Sequence, residues 1–270
     1  MKKVMYSLLF YSFFLVVCFP LLLLVMWSVT ARMPWPQLFP TSFSQRGIQE
    51  LLRPGNQLAR LLISSVSLSL GVAIWSVVVA FLTSRALLKI SKFLRKIIIV
   101  LALLPMFVPG TVFGMGIHTT LIQLGLTSRP IGVMLAHSIF TIPYATILLV
   151  NGAEQLGTKL EETAKTLGAS IWQTFSKVTF PLLLPEILSA LMMSYIVSFN
   201  QYFLTLIIGG GKVKTFALIM YPYLESNDRT IASSFGLVFL LFTLVIFVLM
   251  RSLSEHYQKY QLNQLAKEGN

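Results

Sequence analysis

Apolar residues run along this chain in six long blocks free of Asp, Glu, Lys and Arg: Val4–Ala31, Leu61–Ser84, Ile97–Ser128, Pro130–Ala153, Ile187–Gly211 and Thr230–Met250. A bilayer core takes about 20 apolar residues of helix, so each block predicts a span. The expectation is an all-α integral membrane protein with six transmembrane helices. The third block would be about 48 Å long as one helix, more than a span needs. It holds Pro105, Pro109, Gly110, Gly114, Gly116 and Gly125, which predict a kink near Pro105–Gly110. A pore-lining broken helix and an ordinary kinked span with small packing residues both fit that pattern.

One polar island interrupts the blocks, Thr158–Pro181. Thr158 with Glu161, and Ser170 with Gln173, each read as a capping box at a helix start. Gly168 falls where a helix end wants a left-handed residue. Pro181, with no amide to donate, is expected to end the second segment. Leu156, Leu160, Ala164 and Leu167 form one apolar stripe; Ile171, Trp172, Phe175 and Val178 form another. The island therefore predicts helix, sharp turn, helix. A hairpin packed only on its own protein would satisfy the same pattern.

Charge orients the blocks. With the N-terminus inside, inner segments hold 13 of the 21 Lys and Arg and outer ones 8. The decisive segment is Arg85–Lys96, with Arg85, Lys89, Lys92, Arg95 and Lys96 and no acid. Positive-inside then puts both termini and Thr158–Pro181 in the cytoplasm. The formal charge of +12 follows from this partition, and no nucleic-acid partner is inferred. The Met-Lys-Lys start and the long apolar run after it read as a retained first span rather than a cleaved signal. Outside, Met33-Pro34-Trp35-Pro36 and Phe39-Pro40 suggest an irregular loop, with Trp27 and Trp35 at headgroup level or, for Trp27, simply packed. Phe216–Leu224 could lie along the membrane surface, and Ser252–Asn270 reads as a polar cytoplasmic tail.

Polar groups within the blocks are few. His118, His137, Tyr144, Asn200, Gln201 and Tyr202 must find partners in the bundle or line a wet cavity. Both readings stay open at this point: structural ties between helices, or contacts along a solute path. Gly209-Gly210-Gly211-Lys212 is not a phosphate loop, because Val213 and Leu206 stand where it needs Ser/Thr and Gly. It predicts a turn.

The spacing from Glu162 through Ala164 and Gly168 to Pro181, with Val178 and Phe180 between, resembles the EAA loop of inner-membrane permeases of ABC importers. Thr163 replaces an alanine usual there. The resemblance covers about Leu58–Met250. It implies a type I importer permease, with a coupling helix between spans four and five that docks on a cytoplasmic ATPase. Glu162, Ala164, Leu167, Gly168, Ile171, Trp172 and Pro181 would form the ATPase-coupling site, and His137, Tyr144, Asn200, Gln201 and Tyr202 a solute path. One domain is expected: core 58–250, coupling loop 158–181, tail 252–270. The implied partners are an ABC ATPase dimer, a second permease, identical or different, and an extracytoplasmic solute-binding protein. ATP and Mg would bind the ATPase, leaving no cofactor in this chain, which would sit in the bacterial inner membrane. Ser198–Gly211 with Asp228-Arg229 looks most like the spermidine/putrescine, iron, thiamine and aminoethylphosphonate branch, which favours a polyamine.

Exclusions point the same way. The lone Cys18 allows no disulfide, and no HExxH, GxSxG or Cys/His metal spacing occurs. None of the six blocks contains a carboxylate, which an ion-coupled secondary carrier would ordinarily need. A secondary carrier, a membrane enzyme and a non-transporting scaffold remain as alternatives.

Overall fold

The computed structural model describes residues 2–32, 37, 40 and 42–268. Trp35, with the loop Met33–Pro36 and Phe39, lies outside them. Twelve α-helices occur among the described residues, and no strand beyond one bridge between Thr30 and Phe43. Five are long and apolar enough to span a membrane, and a bent pair makes a sixth.

Contacts group the residues into two units. The first comprises residues up to Leu62 with Phe216–Leu244. In it α1 (Lys2–Ser28) is a mostly apolar helix behind Lys2 and Lys3, and most of its side chains are exposed, as suits lipid. α2 (Arg46–Leu51), the start of α3 (Leu58–Leu87), α11 (Phe216–Glu225) and the start of α12 (Arg229–Glu268) bury a core of Leu51, Leu62, Phe216, Ile231 and Phe235. α11 thus packs inward through Phe216, which stacks on Phe239. Gly47 admits a close approach: a Cβ there would lie 2.1 Å from the Ser234 hydroxyl. Arg46 pairs with Asp228, and the Arg229 guanidinium lies 5.3 Å over the Trp27 ring, so Trp27 is a packed partner. α12 continues unbroken to Glu268, so the polar tail is a helical extension of the last span.

The second unit comprises Ile63–Thr215 and residues from Val245 on. Its axis is the pair α6 (Pro130–Leu156) and α9 (Phe180–Phe199), packed around Ala145, Leu149, Leu183, Ile187 and Ala190. Between α3 and α6 the long third block is not one kinked rod. α4 (Lys92–Phe107) and α5 (Gly110–Gln123) meet at 100°. Pro109 explains the break: it forces Val108 into an extended conformation, φ −87° and ψ 130°, which stops α4 and starts α5.

The fifth span also differs from expectation. Pro181 does not end the hairpin's second helix. α8 (Ile171–Thr174) runs through a π-turn, Phe175–Thr179, directly into α9, and the apolar span is Ile171–Phe199. The wider π-turn lies where the Pro181 ring would otherwise crowd the carbonyl four residues back. The helix then breaks at Asn200–Tyr202 and resumes as α10 (Phe203–Gly209), which packs on α5 and α6. Shifting the span also brings Glu186 into it, so this span does carry a carboxylate. Glu186 packs against Gly152, with Oε2 buried and unpaired.

Candidate functional site

The polar island folds as a sharp corner. α7 (Lys159–Thr166) ends in a Schellman motif: the Gly168 amide donates to Lys165 O (2.9 Å) and the Ala169 amide to Ala164 O (3.0 Å). Gly168 has φ +84°, the left-handed conformation that motif requires. Beyond it, Ser170 caps α8 in a complete capping box, with the Gln173 amide donating to Ser170 Oγ (3.2 Å) and the Ser170 amide to Gln173 Oε1 (2.8 Å). Leu167, Ile171 and Trp172 crown the corner at 83%, 80% and 77% exposure. Three such side chains in one polar island are too exposed to be packing groups of this chain. Glu162 is exposed beside them, while Ala164 and Pro181 are half-buried.

The expected Thr158 capping box does not form: Thr158 makes no side-chain cap bond. Its intended partner, Glu161, is turned inward. Glu161 pairs with Arg85 at the end of α3 and accepts a hydrogen bond from Thr179 Oγ1 (2.7 Å) in the π-turn. One carboxylate therefore joins a span, the corner and the root of the next span. Aromatic rings run alongside: Trp172 on Phe175 (6.0 Å) and Phe175 on Phe81 of α3 (5.9 Å). An apolar groove of 590 Å³ opens between these rings and α3. Sequence reasoning missed Arg85, Glu161 and Thr179 as a cluster. The available signal was an arginine closing an apolar helix with no acid one turn away to pair with it.

The 29 helical residues Ile171–Phe199, about 43 Å at 1.5 Å per residue, separate this corner from the break after Phe199. His137, fully buried on α6, is tied across that break. Its Nδ1 lies 3.0 Å from Ser198 Oγ and its Nε2 3.1 Å from Thr205 Oγ1. Thr205 gives its one hydroxyl proton to Gln201 O (2.8 Å), so Nε2 donates and Nδ1 accepts from Ser198. His137 thus holds the break in place. Asn200 is exposed and donates to Ile196 O (2.8 Å); Gln201 and Tyr202 are half-buried. Tyr144 sits two turns further along α6, half-buried and apart from this group. His118, on α5, is half-buried. Gly210 and Gly211, both left-handed, make the expected turn after Gly209 ends α10. Among the described residues no three His, Cys, Asp or Glu side chains converge as a metal site.

Residues 76–259 match the family described as the binding-protein-dependent transport system inner membrane component. The chain belongs to that family. It is an ABC importer permease. Relatives of the permease include a spermidine/putrescine transport system permease protein PotC homolog of Mycoplasma pneumoniae, 28% identical over 70% of this chain and 67% of the relative. The molybdenum transport system permease protein ModB of Haemophilus influenzae is 25% identical over 73% of this chain and 95% of its own. The sulfate transport system permease protein CysT of Escherichia coli is 28% identical over 47% of each. A crystal structure of a bacterial ABC transporter involved in import of the acidic polysaccharide alginate shares the permease's fold, with TM-score 0.64 and 17% identity over 93% of this chain and 95% of that one. A crystal structure of a bacterial alginate ABC transporter in complex with alginate pentasaccharide-bound periplasmic protein gives TM-score 0.66 at 17% identity, over 94% of this chain and 95% of that one.

Proposed function

We propose that the permease is the solute path and coupling subunit of an importer for a polyamine or similar small charged solute. The observation that carries the coupling role is the corner: Leu167, Ile171 and Trp172 exposed on a turn whose backbone is fixed on both sides. Such a plug suits a socket on a cytoplasmic ATPase dimer that binds the ATP and Mg. Glu162 would bond within that socket, and Ala164, Gly168 and Pro181 would keep the plug's shape. A push on the corner would pass through the Glu161–Arg85 pair to α3 and through the π-turn to α9. Both termini and the corner would lie in the cytoplasm, a reading supported by the basic segment Arg85–Lys96. The whole chain would act as one permease domain, paired with a second permease and served by a solute-binding protein.

Asn200, Gln201 and Tyr202 at the broken helix, with Tyr144, would line the path, and His137 would brace it. The polyamine reading leans on the PotC homolog. ModB and CysT favour a small oxyanion as the second reading.

Purification from the native membrane in mild detergent tests the coupling role. A P-loop ATPase should accompany the chain and be lost when Glu162 and Gly168 are replaced. Recovery with no ATPase would reduce the corner to a surface hairpin. Uptake of labelled putrescine, molybdate and sulfate then tests the solute: molybdate or sulfate uptake without putrescine uptake would overturn the polyamine reading.

A further inference from the structure

None of the residues of α4 is buried. Its first five residues include Lys92, Arg95 and Lys96, behind Ser91, which accepts from the Leu94 amide. Arg95 is already committed: its Nε donates to Leu87 O (2.8 Å) and its guanidinium pairs with Glu154 of α6. That pair borders a cavity of 540 Å³, lined also by Leu88, Lys92, Lys96 and Ile99. Because Arg95 and Glu154 neutralise each other, the cavity keeps the two positive charges of Lys92 and Lys96. These lysines are one turn apart, exposed, and carry no partner among the described residues.

Lys96 also borders a second groove, of 240 Å³, with Ile97, Val100 and Leu101. All three are exposed apolar residues on the same helix. Reading along α4, two ammonium groups come first and an apolar trough follows. The order matches a lipid with an anionic headgroup and an acyl chain.

We propose that α4 binds one anionic phospholipid, its phosphate held between Lys92 and Lys96 and an acyl chain laid along Ile97, Val100 and Leu101. A neutral headgroup would leave both ammonium groups unpaired, and a free phosphate would leave the trough empty. The assignment to the inner leaflet rests on the orientation proposed above; the binding itself does not.

Native mass spectrometry of the delipidated full chain, titrated with phosphatidylglycerol and phosphatidylcholine, tests the site. One phosphatidylglycerol should be retained in preference to phosphatidylcholine. Lys92→Gln with Lys96→Gln should weaken retention about tenfold or more, as losing two membrane-surface charges implies. Lys92→Arg with Lys96→Arg should keep it, and so should Lys89→Gln, which lies in the same basic segment but outside the cavity. An equal loss with Lys89→Gln would overturn the site in favour of general surface attraction. Equal retention of phosphatidylcholine would overturn it too, as would displacement by inorganic phosphate at the concentration at which the lipid binds. Labelling of Lys89→Cys from outside only would overturn the leaflet assignment.

Discussion

Two segments of the corner look alike in sequence and part in structure. Thr158-x-x-Glu161 and Ser170-x-x-Gln173 carry the same capping signature, twelve residues apart. Ser170 has an extended backbone, φ −67° and ψ 163°, which aims its hydroxyl at the Gln173 amide. Thr158 is near-helical, φ −105° and ψ −13°, and its hydroxyl caps nothing. The last residue of each box decides the outcome. Gln173 is neutral, and its best acceptor use is the local amide. Glu161 is charged and lies within reach of Arg85. A cap contributes about 1 kcal/mol, whereas an uncompensated, largely buried arginine costs several. The long-range pair therefore wins, and the motif with more charge is the one whose local reading fails.

The largest way to break this contrast is to remove one partner. Glu161→Gln keeps the shape but leaves Arg85, whose side chain is 21% exposed, without its charge. Thermal unfolding in detergent should show a loss of about 2–3 kcal/mol, somewhat below that of a fully buried pair. Arg85→Leu combined with Glu161→Leu should recover most of it. A single-variant loss under about 0.5 kcal/mol, within the range of exposed pairs, would mean that the pair does not hold the corner. Gly168→Val comes next. Nothing lies within 4 Å of a Cβ there, so only the backbone objects. The left-handed conformation should cost about 1–2 kcal/mol. Uptake should be abolished with membrane insertion intact, and normal uptake would remove the corner from the coupling route.

Much of the fold was legible because a bilayer allows few solutions. Six charge-free blocks give six passes, Pro109 gives the break in the third, and Gly168 gives the corner. The fifth span was legible only in part, because the block rule treats Glu186 as a boundary. Packed against Gly152, Glu186 is sheltered by a close helix approach that one sequence does not reveal. The π-turn is hidden for a related reason: Pro181 reads as a stop unless a neighbouring helix, here through Phe81 on Phe175, holds the wider turn. In the site, the stripe made Leu167, Ile171 and Trp172 legible as apolar positions, but a self-packed hairpin would have buried them, and only the resemblance to the EAA loop implied that they face a partner. The Arg85–Glu161–Thr179 tie did not, since its members are far apart in sequence and one of them had a plausible local use.

The finest test separates the two boxes directly. Ser170→Ala removes the acceptor for the Gln173 amide and frees Gln173 Oε1 from a reciprocal arrangement, so it should cost about 1 kcal/mol. Thr158→Ala removes a hydroxyl with no capping bond, so it should stay within about 0.5 kcal/mol of the parent, as for ordinary surface changes. Both can be measured in one series of unfolding curves. Equal losses would show that Thr158 caps α7 in solution, with Glu161 dividing its time between its own helix and Arg85. A loss confined to Ser170→Ala would leave Glu161 wholly engaged with the spans, which the strut from corner to α3 requires.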